Sequence, residues 1–199
     1  MTSSAGGRSP LAAILLALLF EAPMHPYRMQ HLIKERQKDQ VANVAQRNSV
    51  YQTISRLQRD GLIAVRETTR AENRPERTVY EITDAGREAF LEWMRTTLST
   101  PAREFPMFPA ALSNMVLLEP REVARLLEQR ADAIEVGLTD HDALAASGAL
   151  PRMFLIDDEY RFTLIRTEVA WLRGVVRDLR SGALTWSPEL LRTFMDHDL

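Results

Sequence analysis

A mainly α-helical fold with a small β-hairpin wing is what this 199-residue sequence predicts, arranged as a winged helix-turn-helix domain over residues 9–100 and a helical domain over residues 101–199. Three observations carry that expectation. The run NSVYQTISRLQRDGLI, Asn48 to Ile63, places Val50, Ile54 and Leu57 on one helical stripe with polar residues opposite. A two-strand pattern rich in β-branched residues follows and ends in TVYEIT. Beyond Pro101, Pro106 and Pro109, which break the chain, come two long segments with apolar residues at alternating steps of three and four.

Taken in order, residues 1–8, with Ser3, Ser4, Gly6 and Gly7, read as a tail. Ser9 is placed as N-cap and Pro10 as first residue of a helix to about Glu21. The apolar run Leu11 to Phe20 after Arg8 has the outline of a secretory signal. It is too short to span a bilayer, Glu21 ends it abruptly, and Ala22-Pro23-Met24 is a poor cleavage site, so a buried first helix is the better reading. A second helix is expected from Pro26 to about Lys38, burying Met29, Leu32 and Ile33, with Val41 and Val44 in a short connection. Ser49 and Gln52 have the spacing of a capping box for the next helix, and Asp60-Gly61 stops it. Strands from Leu62 to Thr68 and from Thr78 to Thr83 enclose a loop bearing Arg70, Arg74 and Arg77. A fourth helix from Thr83 or Asp84 carries Phe90, Trp93, Met94 and Leu98 on an apolar face.

In the second region, Ala110 to Leu118 reads as a short helix, and Glu119-Pro120 opens a long one to about Ser147. Its seam is Ala124, Leu127, Ala131, Ile134, Leu138, His141 and Ala145. After Pro151 another long helix runs to about Arg180 with a seam of Phe162, Ile165, Val169, Leu172, Val176 and Leu179. Leu155, Tyr160, Leu164, Trp171 and Val175 lie off that seam, more apolar surface than two helices can bury on each other, and a homodimer would cover the remainder.

The charge is divided unevenly. From Arg28 to Arg77 there are 11 Lys/Arg against 6 Asp/Glu, a balance of +5, whereas from Pro101 to Leu199 the count is 11 against 16, a balance of −5. With an overall net charge of −2, this excludes indiscriminate coating of nucleic acid and points to a local basic patch. The helix from Asn48 presents Asn48, Ser49, Gln52, Ser55, Arg56 and Arg59 opposite its apolar stripe, residues that donate to or accept from base edges and phosphates; Tyr51 adds a hydroxyl that reaches phosphate or packs on the second helix. Arg70, Arg74 and Arg77 suit a minor groove or phosphate flank beside it, although Glu72 and Glu76 stand among them. Ordinary cap and surface roles compete for all of these side chains.

There is no cysteine, hence no disulfide, thiolate metal site or cysteine nucleophile. No phosphate-binding glycine motif and no nucleophile with a base appears, so an enzyme is not expected, nor a cofactor. Asp140-His141-Asp142 and Asp196-His197-Asp198 resemble ligand clusters, but consecutive side chains on a helix point about 100° apart and do not converge on one ion. Trp93, Tyr160 and Trp171, with Trp186, are candidates for an aromatic-walled effector pocket, against ordinary packing.

The segments LAAILLALLFE, MHPYRMQHLI, SVYQTISRLQRDGLI and TVYEITDAGREAF, in that order, resemble PadR-like transcriptional regulators, with Tyr51, Leu57, Gly61, Leu62, Tyr80, Thr83, Gly86 and Arg87 at matching positions. Pro26 departs from the pattern, which commonly has glycine there. The resemblance implies a dimeric, cytoplasmic regulator, usually a repressor, that binds a double-stranded DNA operator and is released by a small-molecule effector or another signal, with no membrane partner. A winged helix that binds another protein instead of DNA is the competing reading.

Overall fold

Ser9 and Pro10 start the first helix as their chemistry requires. In the computed structural model, which describes residues 8–42, 47–69, 77–136 and 151–195, Ser9 is extended and its hydroxyl accepts the Ala12 amide at 3.2 Å. Helix α1 (Pro10–Glu21) buries Leu11, Ala12, Leu15, Leu16, Leu18 and Leu19, so it is covered on most of its circumference and forms the centre of the first core. The chain divides into two compact units, Met1–Arg103 and Glu104–Leu199.

After α1, Met24 pairs with Tyr80 through both backbone bonds, each 3.0 Å, and so anchors the start of the next helix to the hairpin. Helix α2 (Pro26–Glu35) is capped by His25, whose Nδ1 accepts the Arg28 amide at 3.2 Å. It stops three residues short of the expected Lys38. Gln37 turns left-handed at φ 53°, and a single 3-10 turn, Lys38–Gln40, takes over. Helix α3 (Arg47–Arg59) buries Val50, Thr53, Ile54 and Leu57 against α1 and α2. It is already helical at Arg47, so Ser49 sits inside its first turn and not at the expected N-cap position; the Ser49 carbonyl accepts the Thr53 hydroxyl at 2.7 Å. Gly61, at φ 72°, ends α3: its amide bonds the Gln58 carbonyl and the Leu62 amide bonds the Leu57 carbonyl, a Schellman arrangement.

Strands β1 (Ile63–Thr69) and β2 (Arg77–Ile82) pair antiparallel, Ile63 opposite Ile82 and Val65 opposite Tyr80. Arg66 is the extra residue of a bulge between Val65 and Glu67, which bends and twists the hairpin beyond that point. Helix α4 (Asp84–Ser99) is capped by Thr83. Phe90 and Trp93 pack on the first core, while Met94 and Leu98, expected on the same apolar face, are exposed, Leu98 at 81%.

In the second unit the expected helix Ala110 to Leu118 is instead α5 (Met107–Leu112) followed by a 3-10 turn, Met115–Leu117. Helices α6 (Pro120–Glu135) and α7 (Ile156–Ser181) form the pair that the two seams predict, burying Ala124, Leu127 and Ala131 on one side and Val169, Leu172, Val176 and Leu179 on the other. Ion pairs run along it: Arg173 bonds Asp132 and Glu135, each at 2.6 Å, Arg180 bonds Glu128 and Arg130 bonds Glu168. Gly182 closes α7 in the left-handed conformation, and Leu184 folds back onto the core. Helix α8 (Pro188–Met195) was not anticipated, although Ser187-Pro188 repeats the start signature of Ser9-Pro10. The N-terminal tail, Val44, the loop with Arg70 and Arg74, the seam positions Leu138, His141 and Ala145 and both Asp-His-Asp triplets lie outside the described residues.

Candidate nucleic-acid interface

The burial of α3 fixes which side of it faces outward. With Val50, Thr53, Ile54 and Leu57 turned inward, Tyr51, Gln52, Ser55 and Arg59 occupy the opposite side and are exposed, Tyr51 at 52%. This is a polar strip about two turns long carrying a phenol, an amide, a hydroxyl and a guanidinium, the donor and acceptor set that reads base edges and phosphates. The Arg59 side chain is 75% exposed, with the Asp60 carboxylate 3.5 Å from its Nε. Ser49 is half-buried, whereas the side chains of Asn48 and Arg77 fall outside the described part of the structure.

Arg56 departs from the expected outward placement. It lies on the flank toward α1, half-buried, and its Nη2 donates to Ser9 Oγ at 3.2 Å while Nε is buried. The helical period puts position 56 about 70° from the centre of the outward strip, far enough for α1 to claim it. Ser9 is a residue that the sequence reading credited only with capping; the contact spans 47 positions and leaves no local signal.

On the hairpin side, an open cleft of about 480 Å³ is lined by Pro23, Met24, His25, Arg28, Arg66, Glu67 and Val79. Arg66 is within 3.7 Å of Glu81, and the His25 ring stacks on Tyr27 at 6.1 Å. The cations there are thus balanced in part by carboxylates.

Of the aromatic candidates, Trp93 belongs to the first unit, where Arg8 lies over its ring at 5.9 Å. Tyr160 and Trp171 lie in the second unit on the exposed side of α7, 69% and 48% exposed, eleven positions or ~16 Å of helix apart. Trp186 packs on the second core and its indole N–H donates to the Leu118 carbonyl at 3.0 Å, a structural role. Among the described residues no group of His, Asp or Glu could hold a metal ion, and no helix is long and apolar enough to cross a membrane.

Three helices, a hairpin behind the third and an outward polar strip on that third helix define a winged helix-turn-helix, the class of fold whose second helix of the motif enters the major groove. Residues 15–92, most of the first unit, match the transcriptional regulator PadR-like family. The fold is shared with Bacillus subtilis PadR in complex with operator DNA, at 18% identity over 86% of this chain and 99% of that one, TM-score 0.64. It is shared too with the PadR-like transcriptional regulator BC1756 from Bacillus cereus, at 18% identity, 89% and 99% coverage and a TM-score of 0.59. Bacillus subtilis PadR in complex with p-coumaric acid superposes at 15% identity, 89% and 99% coverage and a TM-score of 0.63. No curated protein sequence matches the chain.

Proposed function

We propose that the protein is a dimeric, sequence-specific DNA-binding regulator, a repressor whose operator affinity falls when a small molecule binds. The observation that carries the reading is the outward strip Tyr51, Gln52, Ser55 and Arg59 on α3, polar and exposed among the described residues. Asn48 and Ser49, earlier in the same sequence run, join it in the proposed contact set, and Arg70, Arg74 and Arg77, between and at the start of the strands, are assigned the flanking backbone contacts. Similarity to a PadR captured on operator DNA supports the same assignment.

Dimerisation has its own support. Ile156, Tyr160, Leu164 and Trp171 form a stripe along α7 on the side away from α6, each about half exposed or more. An apolar stripe of this length marks an interface more often than a solvated face, and a second copy of α7 would cover it. Twofold pairing then sets two α3 helices into successive major grooves, about 34 Å apart. The effector is a planar molecule of the kind that stacks on Trp93, Tyr160 or Trp171, and it acts by favouring a conformer with a different helix spacing.

Mobility shift with the DNA upstream of the protein's own gene tests the function directly. Specific retardation is expected, and Arg59→Ala should weaken it and reduce the slope of log affinity against log salt by about 1. Equal retardation of unrelated duplexes by wild type and Arg59→Ala would reject the assignment.

A further inference from the structure

Arg56 is a cation that the groove-reading strip does not use. Its Nη2 donates to Ser9 Oγ at 3.2 Å, and its Nε is buried without a hydrogen-bond partner among the described residues. The Ser9 oxygen also accepts the Ala12 amide and thereby closes the N-terminus of α1. A hydroxyl oxygen has two acceptor sites, so both are occupied. A guanidinium held by a charge-assisted bond and partly desolvated is poorly placed to reach a phosphate, because swinging outward breaks the bond and re-exposes the packed surface. What it controls instead is the helix to which it is attached.

We propose that Arg56 is a positioning residue: its bond to the N-cap of α1 fixes the roll of α3 about its own axis, and Ser9, on a different element, belongs to the same device. The inference rests on the DNA-reading function proposed above. With side-chain tips ~5–6 Å from the helix axis, a roll of ~10° moves Gln52, Ser55 and Arg59 by ~1 Å. That displacement is enough to lengthen a base-edge hydrogen bond past its useful range. Tyr51 and Gln52 lie one turn from Arg56 and Ser55 is its neighbour, so the roll passes to the strip through the rigid backbone.

The test uses the full chain and a duplex selected by wild type from a randomised pool, with affinity measured across salt for wild type, Arg56→Ala, Ser9→Ala and the double variant, and melting temperature recorded for each. Arg56→Ala and Ser9→Ala should each lower specific affinity about tenfold. The double variant should be no weaker than Arg56→Ala alone, and the salt slopes should stay at the wild-type value. A slope shallower by about 1 in Arg56→Ala, with Ser9→Ala unaffected, would make Arg56 a phosphate contact and overturn the proposal. Wild-type affinity with only a lowered melting temperature would overturn it as well, leaving a purely structural bond. Failure of wild type to select any duplex would bring down the DNA-reading function itself, whereas selective wild-type binding with additive losses would bring down this inference alone.

Discussion

Gly86 is where α3, the hairpin and α4 are joined, and replacing it by alanine should disrupt all three. The Thr83 hydroxyl donates to the Gly61 carbonyl at 2.8 Å and accepts the Gly86 amide at 3.0 Å, while the Thr83 amide donates to the Leu62 carbonyl at 3.1 Å. The end of α3 and the start of α4 are therefore tied within a few residues. A Cβ on Gly86 would lie 2.0 Å from that same Leu62 oxygen and 2.9 Å from Ile82 Cγ1, where ordinary contact begins at 3.4 Å. The shortfall against the carbonyl is 3.4 − 2.0 = 1.4 Å, and the obstructing atom is backbone, so no rotamer change relieves it.

Alanine is favoured over glycine inside a helix by about 1 kcal/mol, but forced overpacking of this kind costs more than that. A net loss of roughly 3 kcal/mol is expected, a fall in melting temperature of ~12 °C or more for a unit of this size. Thermal unfolding followed by circular dichroism reads it, with Thr83→Ala as a milder companion that loses a helix cap worth about 1 kcal/mol. Gly86→Ala melting within ~2 °C of wild type would show that α4 is not seated against the Leu62 carbonyl as described.

Leu172 is fully buried between α6 and α7, so Leu172→Ala should destabilise the second unit by about 3 kcal/mol, seen as a lower urea midpoint at unchanged slope; a midpoint shift worth under ~1 kcal/mol would contradict the packing. The Glu21 carboxyl is held below its ordinary value of 4.5, first by the hydrogen bond from Arg36, so this tie between α1 and the end of α2 contributes fully above pH 4.5 and is lost as pH falls through the lowered value. Both groups are about half exposed, which limits the effect to ~1 kcal/mol or less, and Glu21→Gln should remove that part of the acid-side decline in stability; an unchanged decline would assign it elsewhere. Leu164→Asp together with Trp171→Asp should convert a dimer to a monomer in sedimentation without lowering the melting temperature of the first unit, and a double variant that sediments as wild type would remove α7 from the interface.

Helix types and seams were legible in the sequence because they rest on periodicity: one face of α3 and the α6–α7 pair follow directly from apolar spacing. Ends resting on local chemistry were legible as well, at Ser9, Gly61 and Thr83. Elsewhere the boundaries depended on what no window of sequence contains. Helix α2 stops at Glu35 as Gln37 turns left-handed, and α5 gives way at Ser113, although no glycine or proline marks either end. The same limit governs the candidate site. Periodicity sorts Tyr51, Gln52, Ser55 and Arg59 from the buried face, but position 56 lies between the two, and only the approach of α1 decides it.

That decision changes how binding energy must be distributed. With Arg56 committed to Ser9, Arg59 is the cation on the outward strip of α3 among the described side chains, and Asp60 sits beside it. One partly compensated guanidinium neutralises little phosphate charge, so under the proposed function α3 is expected to contribute selectivity through Gln52, Ser55 and Tyr51 more than affinity. Under the proposed function, the remaining affinity is expected from Arg70, Arg74 and Arg77 and from doubling the contact through a second protomer. A monomeric Leu164→Asp, Trp171→Asp protein should accordingly bind a half-site with about half the wild-type salt slope, because phosphate contacts count per protomer. Its base preferences within that half-site should be those of wild type, since Tyr51, Gln52, Ser55 and Arg59 all lie on one helix of a single chain. A monomer with the full wild-type slope would place the missing cations within a single chain and make pairing dispensable for affinity.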